Sequence, residues 1–170
     1  MCSLVACAQN VVPMDPPKAA SKPDSPNSND KGRFLFGSLD DEMKAKRRIK
    51  LEEKLHQENL ERAREADRLS TELETSYEQK KLFTPEDTKK LERLEKLTKK
   101  IRGEAGGSDE GASLENPPNE LQIALSRLAQ VTAALHKVVE KTPRQVVSAT
   151  VIEQANTVLQ LVKIARDLFH

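Results

Sequence analysis

The stretch from Ser38 to Leu82 contains neither glycine nor proline. It consists largely of Glu, Lys, Arg, Leu and Ala, which are all good helix formers. Ser38 is suited to capping a helix, and Asp40, Asp41 and Glu42 would follow in the first turn, where the helix dipole favours acids. The pattern therefore predicts one continuous helix, roughly 65 Å long at 1.5 Å per residue.

The apolar stripe along this long helix is thin. Leu51 and Leu55, then Ala66, Leu69 and Leu73, recur at helical spacing, but charged residues interrupt the row. A helix in the core of a protein usually carries a broad apolar face. The pattern is typical of a solvated helix or a weak coiled coil rather than a core helix.

A second helix is predicted to begin at Thr84-Pro85. Thr84 can cap it, and Pro85 suits the first helical position because no N–H is needed there. The helix should end near Arg102, with Gly103 as its stop. The break before Thr84 is compatible with a kink in one rod or with a turn into an antiparallel pair, and we favour the turn. Residues 38–102 thus form a predicted charged helical region.

A glycine-rich segment, residues 103–116, divides the chain and predicts a flexible linker between domains. Beyond it, residues 117–170 carry a broader apolar stripe at alternating spacings of three and four. Thr142-Pro143 resembles the helix start at Thr84, and Gln145 would complete a capping box. We therefore predict a helical hairpin with a tight joint.

The composition supports an all-α fold. Aromatic residues make up 3% of the chain, and there are six glycines. A core of aliphatic side chains suits packing of helix on helix, and an all-β fold needs more turn residues.

Residues 1–37 form a predicted disordered amino-terminal arm, because they are rich in proline and polar residues. Ser25-Pro26 is a candidate site of proline-directed phosphorylation. Phe34 and Phe36 stand close together in this arm. They predict either a segment that docks on the following helix or a linear motif that enters a partner's pocket.

The carboxy-terminal hairpin carries more apolar surface than two helices can cover by themselves, and such surface usually marks an interface. We favour burial by a helical protein partner or by self-association. The alternative is that the preceding helices fold back and complete one bundle. The candidate residues, whose roles divide between intrachain core and partner contact, are Leu121, Leu125, Leu128, Leu135, Val151, Val158, Leu161, Val162 and Phe169.

The densest basic cluster lies near the start of the long helix. Acids flank it, and no aromatic residue is interleaved for stacking on bases. Three interpretations stay open: a solvated helix face, a nuclear-import signal or direct contact with nucleic acid. The cluster consists of Lys44, Lys46, Arg47, Arg48 and Lys50.

The sequence carries no motif for catalysis, for a metal or for a cofactor. His56, His136 and His170 are far apart, and a zinc site needs three or four convergent ligands. No apolar stretch reaches the length of a membrane span. The two cysteines, Cys2 and Cys7, favour a reducing compartment, so we expect a cytoplasmic or nuclear protein. We expect a non-catalytic adaptor or complex subunit, with a nucleic-acid-associated nuclear regulator as the alternative.

Overall fold

The computed structural model describes residues 39–108, 114–144 and 146–169, and these form an all-α protein. The four helices are α1 (Leu39–Lys80), α2 (Pro85–Glu104), α3 (Leu121–Lys141) and α4 (Ala149–Phe169). The predicted fold class is confirmed. The arm at 1–37, with Phe34 and Phe36, lies outside the described residues.

Helices α1 and α2 are antiparallel. The Arg93 side chain of α2 donates two hydrogen bonds to the Glu65 carboxylate of α1, at 2.9 and 3.1 Å. One turn earlier in α2, Lys90 lies 3.3 Å from Glu72, which is about two turns later in α1. The turn that we favoured between the two helices is therefore present.

Thr84 caps α2 as predicted. Its hydroxyl accepts a hydrogen bond from the Asp87 backbone N–H, and the Asp87 carboxylate accepts one from the Thr84 backbone N–H. This reciprocal capping box satisfies two backbone donors that a helix start would otherwise leave unpaired. Pro85 occupies the first turn, where its missing N–H costs nothing.

The four helices form a bundle with the cyclic order α1–α2–α4–α3. Arg166 of α4 contacts Glu95 of α2 at 2.7 Å, and α3 and α4 pair along their length. His136 of α3 contacts Asp67 of α1 at 3.1 Å, which closes the ring. The order of these contacts makes each neighbouring pair antiparallel, so α1 and α4 run one way and α2 and α3 the other. The end of α2 and the start of α3 therefore lie at opposite ends of the bundle, as in bundles with a long crossover.

The core contradicts our favoured prediction that a partner covers the hairpin. Helices α1 and α2 supply the opposing side: Leu73, Leu91, Leu94 and Ile101 are each at most 1% exposed and belong to the same core cluster as the hairpin residues. The alternative, a single completed bundle, is what the structure shows. Residues 103–116 join two helix pairs within one compact unit that covers 41–170.

The carboxy-terminal part of α1 is a core helix, and our prediction of a solvated helix is wrong there. Its buried face consists mainly of small side chains: Ala63, Ala66 and Ser70 lie beside Leu69 and Leu73. Ala63, Ala66 and Ser70 are each at most 1% exposed, so small side chains suffice to seal this side of the core.

Helix α2 continues past the predicted stop at Gly103. It ends at Glu104, and Gly106 adopts a φ of 87° in the left-handed region, which favours glycine. The Gly106 N–H donates to the Gly103 carbonyl and the Gly107 N–H to the Arg102 carbonyl. These two bonds define a Schellman motif, which places the glycine stop three residues later than predicted.

Helix α4 begins at Ala149, so the predicted start at Thr142-Pro143 is wrong. The Thr142 hydroxyl donates to the Val138 carbonyl of α3, at 2.8 Å, and so completes the end of α3 instead of capping α4. Ser148 takes the capping position, since its hydroxyl accepts a hydrogen bond from the Val151 N–H at 3.4 Å. The joint is thus a seven-residue connection, Thr142–Ser148, of which residue 145 lies outside the described part.

Candidate interaction surfaces

Most of the nine predicted hairpin residues are core residues. Seven of them are at most 2% exposed. Leu121 is half-buried, and Phe169 is 38% exposed. In this fold the buried seven pack against the chain's own helices rather than offering a surface to a partner; they are Leu125, Leu128, Leu135, Val151, Val158, Leu161 and Val162.

Phe169 closes the end of the bundle where α1 turns into α2. Its ring lies 4.8 Å from the ring of Phe83, centroid to centroid, with the planes tilted by 50°. Aromatic pairs at this separation are favourable in tilted geometries. The pair ties the last turn of α4 to the α1–α2 turn.

The beginning of α1 projects beyond the bundle, and we call Asp41–Lys54 the α1 extension. Every residue of it up to Leu51 is exposed. Arg144, in the α3–α4 connection, contacts Glu53 at 2.9 Å, which marks the level at which α1 meets the bundle. The extension contains all five residues of the predicted basic patch: Lys44, Lys46, Arg47, Arg48 and Lys50.

Two ion pairs within the helix partly neutralise the basic patch, at Lys46 and at Arg48. Lys46 lies 2.7 Å from Glu42, and Arg48 lies 3.6 Å from Glu52. The basic side chains of both pairs are more than 70% exposed. Exposed pairs of this kind contribute little free energy, so a competing anion readily replaces the glutamate as the partner of the cation.

Three basic residues near the end of α2 are divided between surface and core. Lys99 and Lys100, near the end of α2, are exposed. Arg102 is buried and donates to the Asn156 side-chain carbonyl at 3.1 Å, so it binds α2 to α4.

A cleft lies where α1 leaves the bundle, and we call it the Val146 cleft. Its volume is about 150 Å³. Leu55 of α1, Val139 of α3 and Val151 of α4 contribute to its apolar wall, and the α3–α4 connection adds Val146. The sequence pattern missed this site because it assigned Val146 and Val147 to the first turn of a helix.

Two valines beside this cleft are exposed. Val146 is 48% exposed and Val147 is 74% exposed. Val147 lies over Gly106, where an added Cβ atom would meet its methyl groups at 3.3 Å. The short connection thus presents two branched apolar side chains to the solvent at one end of the bundle.

Two carboxylates at helix contacts have altered acidity. Hydrogen bonds from Arg93 are the main reason that the pKa of Glu65 lies below its usual value, although partial burial opposes the shift. Hydrogen bonds from Lys99 and then Arg166 likewise lower the pKa of Glu95. The Arg93–Glu65 pair joins α1 to α2 and the Arg166–Glu95 pair joins α2 to α4, whereas the Lys99–Glu95 pair lies within α2.

His136 lies between two acids at the α1–α3 contact. Its Nδ1 is 3.1 Å from the Asp67 carboxylate, and its Nε2 is 3.3 Å from Glu140. His56 lines the Val146 cleft. His170 lies outside the described residues.

Across the described ranges, no group of three or more His, Cys, Asp or Glu side chains is arranged to hold a metal ion. No helix in the same part of the chain has the length and apolar character needed to cross a membrane. Comparison of the chain with protein-family models, with curated proteins and with solved structures finds no significant match.

Proposed function

We propose that the chain is a non-catalytic adaptor or complex subunit that binds a helical protein partner at the Val146 cleft. The observation that carries the proposal is the pair of exposed valines, Val146 and Val147, beside a cleft with an apolar wall. Exposed apolar surface rimmed by polar residues is typical of a protein interaction site.

The dimensions of the cleft suit an anchoring side chain of the partner. A cavity of about 150 Å³ is large enough for a benzene-sized group. Binding energy at protein interfaces is concentrated in a few large side chains that enter such pockets. A partner helix lying between α1 and the α3–α4 connection would place one apolar residue in the cleft and cover both valines.

Charged groups at the rim would orient the partner. Glu52 and Glu104 line the cleft, and Arg144 lies beside them, already paired with Glu53. A partner helix with basic residues flanking its apolar anchor would match the acids. Because both cysteines of this chain favour a reducing compartment, the complex belongs in the cytoplasm or the nucleus.

The test compares two double variants of the full chain. Val146→Glu with Val147→Glu changes the cleft, whereas Leu82→Glu with Ile123→Glu changes two residues at the opposite end that are 64% and 53% exposed. All four positions are exposed, so unfolding free energies should stay within about 0.5 kcal/mol per substitution.

Quantitative affinity capture from cytoplasmic and nuclear extracts, followed by titration with the purified partner, provides the measurement. We expect the cleft variant to bind at least about tenfold more weakly, the loss of one interface anchor, and the control variant to bind like the wild type. Equal binding by both variants would contradict the proposal. Sedimentation at two concentrations identifies self-association: if the partner is a second copy, only the cleft variant becomes monomeric.

A further inference from the structure

The basic residues of the α1 extension are spread widely around the helix. Between Met43 and Leu51 the extension has five cations and no acid. At 3.6 residues per turn, the cations cover an arc of about 200° from Lys46 round to Arg48. The remaining arc carries Ala45 and Ile49. The surface is therefore not a single flat charged face.

Among the described elements, none covers this part of the helix. All residues from Met43 to Leu51 are exposed. An isolated helix this short is marginal in water. Here the extension continues a helix whose later turns are held in the core, so it can present its charges without first having to fold.

We propose that the α1 extension binds duplex DNA by lying in the major groove and contacting phosphates on both sides. A helix with its side chains is about 10–12 Å across, and the major groove of B-form DNA is about 12 Å wide. Phosphates line both walls of the groove, so a cationic arc of about 200° can be paired on both sides.

Other polyanions fit this arrangement less well. An acidic helix contacts its partner through a stripe of roughly 100°, so it would leave about half of the cations unpaired. A single strand binds by stacking bases on aromatic side chains, and the extension has none. The major groove of double-stranded RNA is too deep and narrow to admit a helix.

This inference goes beyond the proposed function and does not depend on it. The Val146 cleft binds a protein through apolar contacts, whereas the extension binds phosphates through cations. Five phosphate contacts predict a slope of about −4.5 for log affinity against log salt concentration, which corresponds to a loss of about 500-fold between 50 and 200 mM salt.

The test uses fluorescence anisotropy with the full chain and four probes. These are a DNA duplex of twenty base pairs, a DNA single strand of the same length, the corresponding RNA duplex and polyglutamate. The test variant replaces the five cations by glutamine, which preserves helix propensity: Lys44→Gln, Lys46→Gln, Arg47→Gln, Arg48→Gln and Lys50→Gln.

A second variant with the same change in charge is the control. It replaces five exposed helical lysines of the bundle that have no ion pair within the described residues: Lys89→Gln, Lys96→Gln, Lys100→Gln, Lys137→Gln and Lys163→Gln. We expect the wild type to prefer the DNA duplex. The extension variant should lose at least about a hundredfold in affinity at 50 mM salt, and the control less than about tenfold.

Each other result overturns the proposal. Equal losses in the two variants would mean that net charge alone attracts DNA. Tighter binding of polyglutamate would identify an acidic protein surface as the occupant, and preference for a single strand or RNA would exclude the major-groove geometry. Absence of binding to the duplex at 50 mM salt would exclude DNA as a ligand of the extension.

Discussion

The two ends of α1 have similar charged sequences but different surroundings. Residues 63–73 pack in the core, where Ala66 and Leu73 are almost fully buried, whereas residues 41–51 are exposed on every side. Glu65 pairs with Arg93 of another helix, whereas Glu42 pairs with Lys46 of its own helix. The same helix thus forms part of the bundle core in one half, and in the other half it projects from the bundle as the α1 extension.

The size of the side chains at helical spacing, and not the abundance of charge, accounts for which part of α1 is buried. In the core part, Ala63, Ala66 and Ser70 form a narrow flat face on which neighbouring helices can lie. In the α1 extension, Lys44 and Arg48 continue the same face of the helix with long charged side chains. Burying these two side chains would remove their charges from water, which costs free energy.

The largest expected contrast is in amide hydrogen exchange. Amides of residues 63–73 should open only with global unfolding, which costs about 5 kcal/mol or more, whereas those of 41–51 should open locally at little cost. Exchange followed by mass spectrometry should show protection at least about a thousandfold greater in the core part. Equal protection of the two parts would contradict this difference, because it would show that tertiary contacts also hold the α1 extension.

Truncation of one leucine in each part should give the next largest contrast. Leu73 is 1% exposed and Leu51 is 56% exposed. Leu73→Ala removes buried methyl groups and leaves a cavity, so it should lower the free energy of unfolding by about 2–5 kcal/mol. Leu51→Ala should change it by less than about 0.5 kcal/mol. Denaturant titrations measure both values, and a similar cost for the two would contradict the assignment of the core.

Enlarging an alanine tests the flat face directly. Ala66→Leu inserts volume at a fully buried position and should cost about 1–3 kcal/mol. Ala45→Leu makes the same change in the exposed α1 extension and should stay within about 0.5 kcal/mol. If Ala66→Leu were tolerated equally well, the small size of the side chains would not be what allows this face to pack.

The smallest contrast concerns the ion pairs. Because Arg93 lowers the pKa of Glu65, the ionised carboxylate stabilises the fold above its usual pKa near 4.5, and that contribution is lost as the pH falls below it. Glu65→Gln should therefore reduce stability slightly at neutral pH, less than Ala66→Leu does, and the difference from the wild type should close in acid.

Glu42→Gln is the matched control for the ion pair, since it removes a pair that stays within the α1 extension. Thermal unfolding of both variants between pH 3 and 7 provides the measurement. We expect no effect of Glu42→Gln on unfolding of the bundle. A difference for Glu65→Gln that persists unchanged in acid would show that the lost charge is not the cause.

The sequence predicted the existence of the helices better than their assembly. The cap at Thr84 and the broad stripe of α3 follow local rules, so each could be predicted from a few residues. The completed bundle could not be predicted from local rules, because the face of α1 that seals the core contains Ala63, Ala66 and Ser70. A pattern search weighted by apolar size gives such residues little importance, although their small size is the reason that they pack.

The start of α4 shows a second limit of local rules. Thr142-Pro143 has the same form as Thr84-Pro85, but a threonine hydroxyl can also donate backwards to the preceding helix, as Thr142 does. Which of the two hydrogen bonds forms depends on the helix that precedes. The exposed valines of the connection, and with them the Val146 cleft, were for this reason not predicted.

The crossover between α2 and α3 divides the chain into two hairpins, each made of helices that are adjacent in sequence. Side-chain contacts between the hairpins, such as His136–Asp67 and Arg166–Glu95, need no peptide link between Glu104 and Leu121. We therefore expect the two halves, produced as separate polypeptides, to recognise each other through their apolar faces. Their reassembly would depend on concentration, which turns the stability of the fold into a measurable affinity.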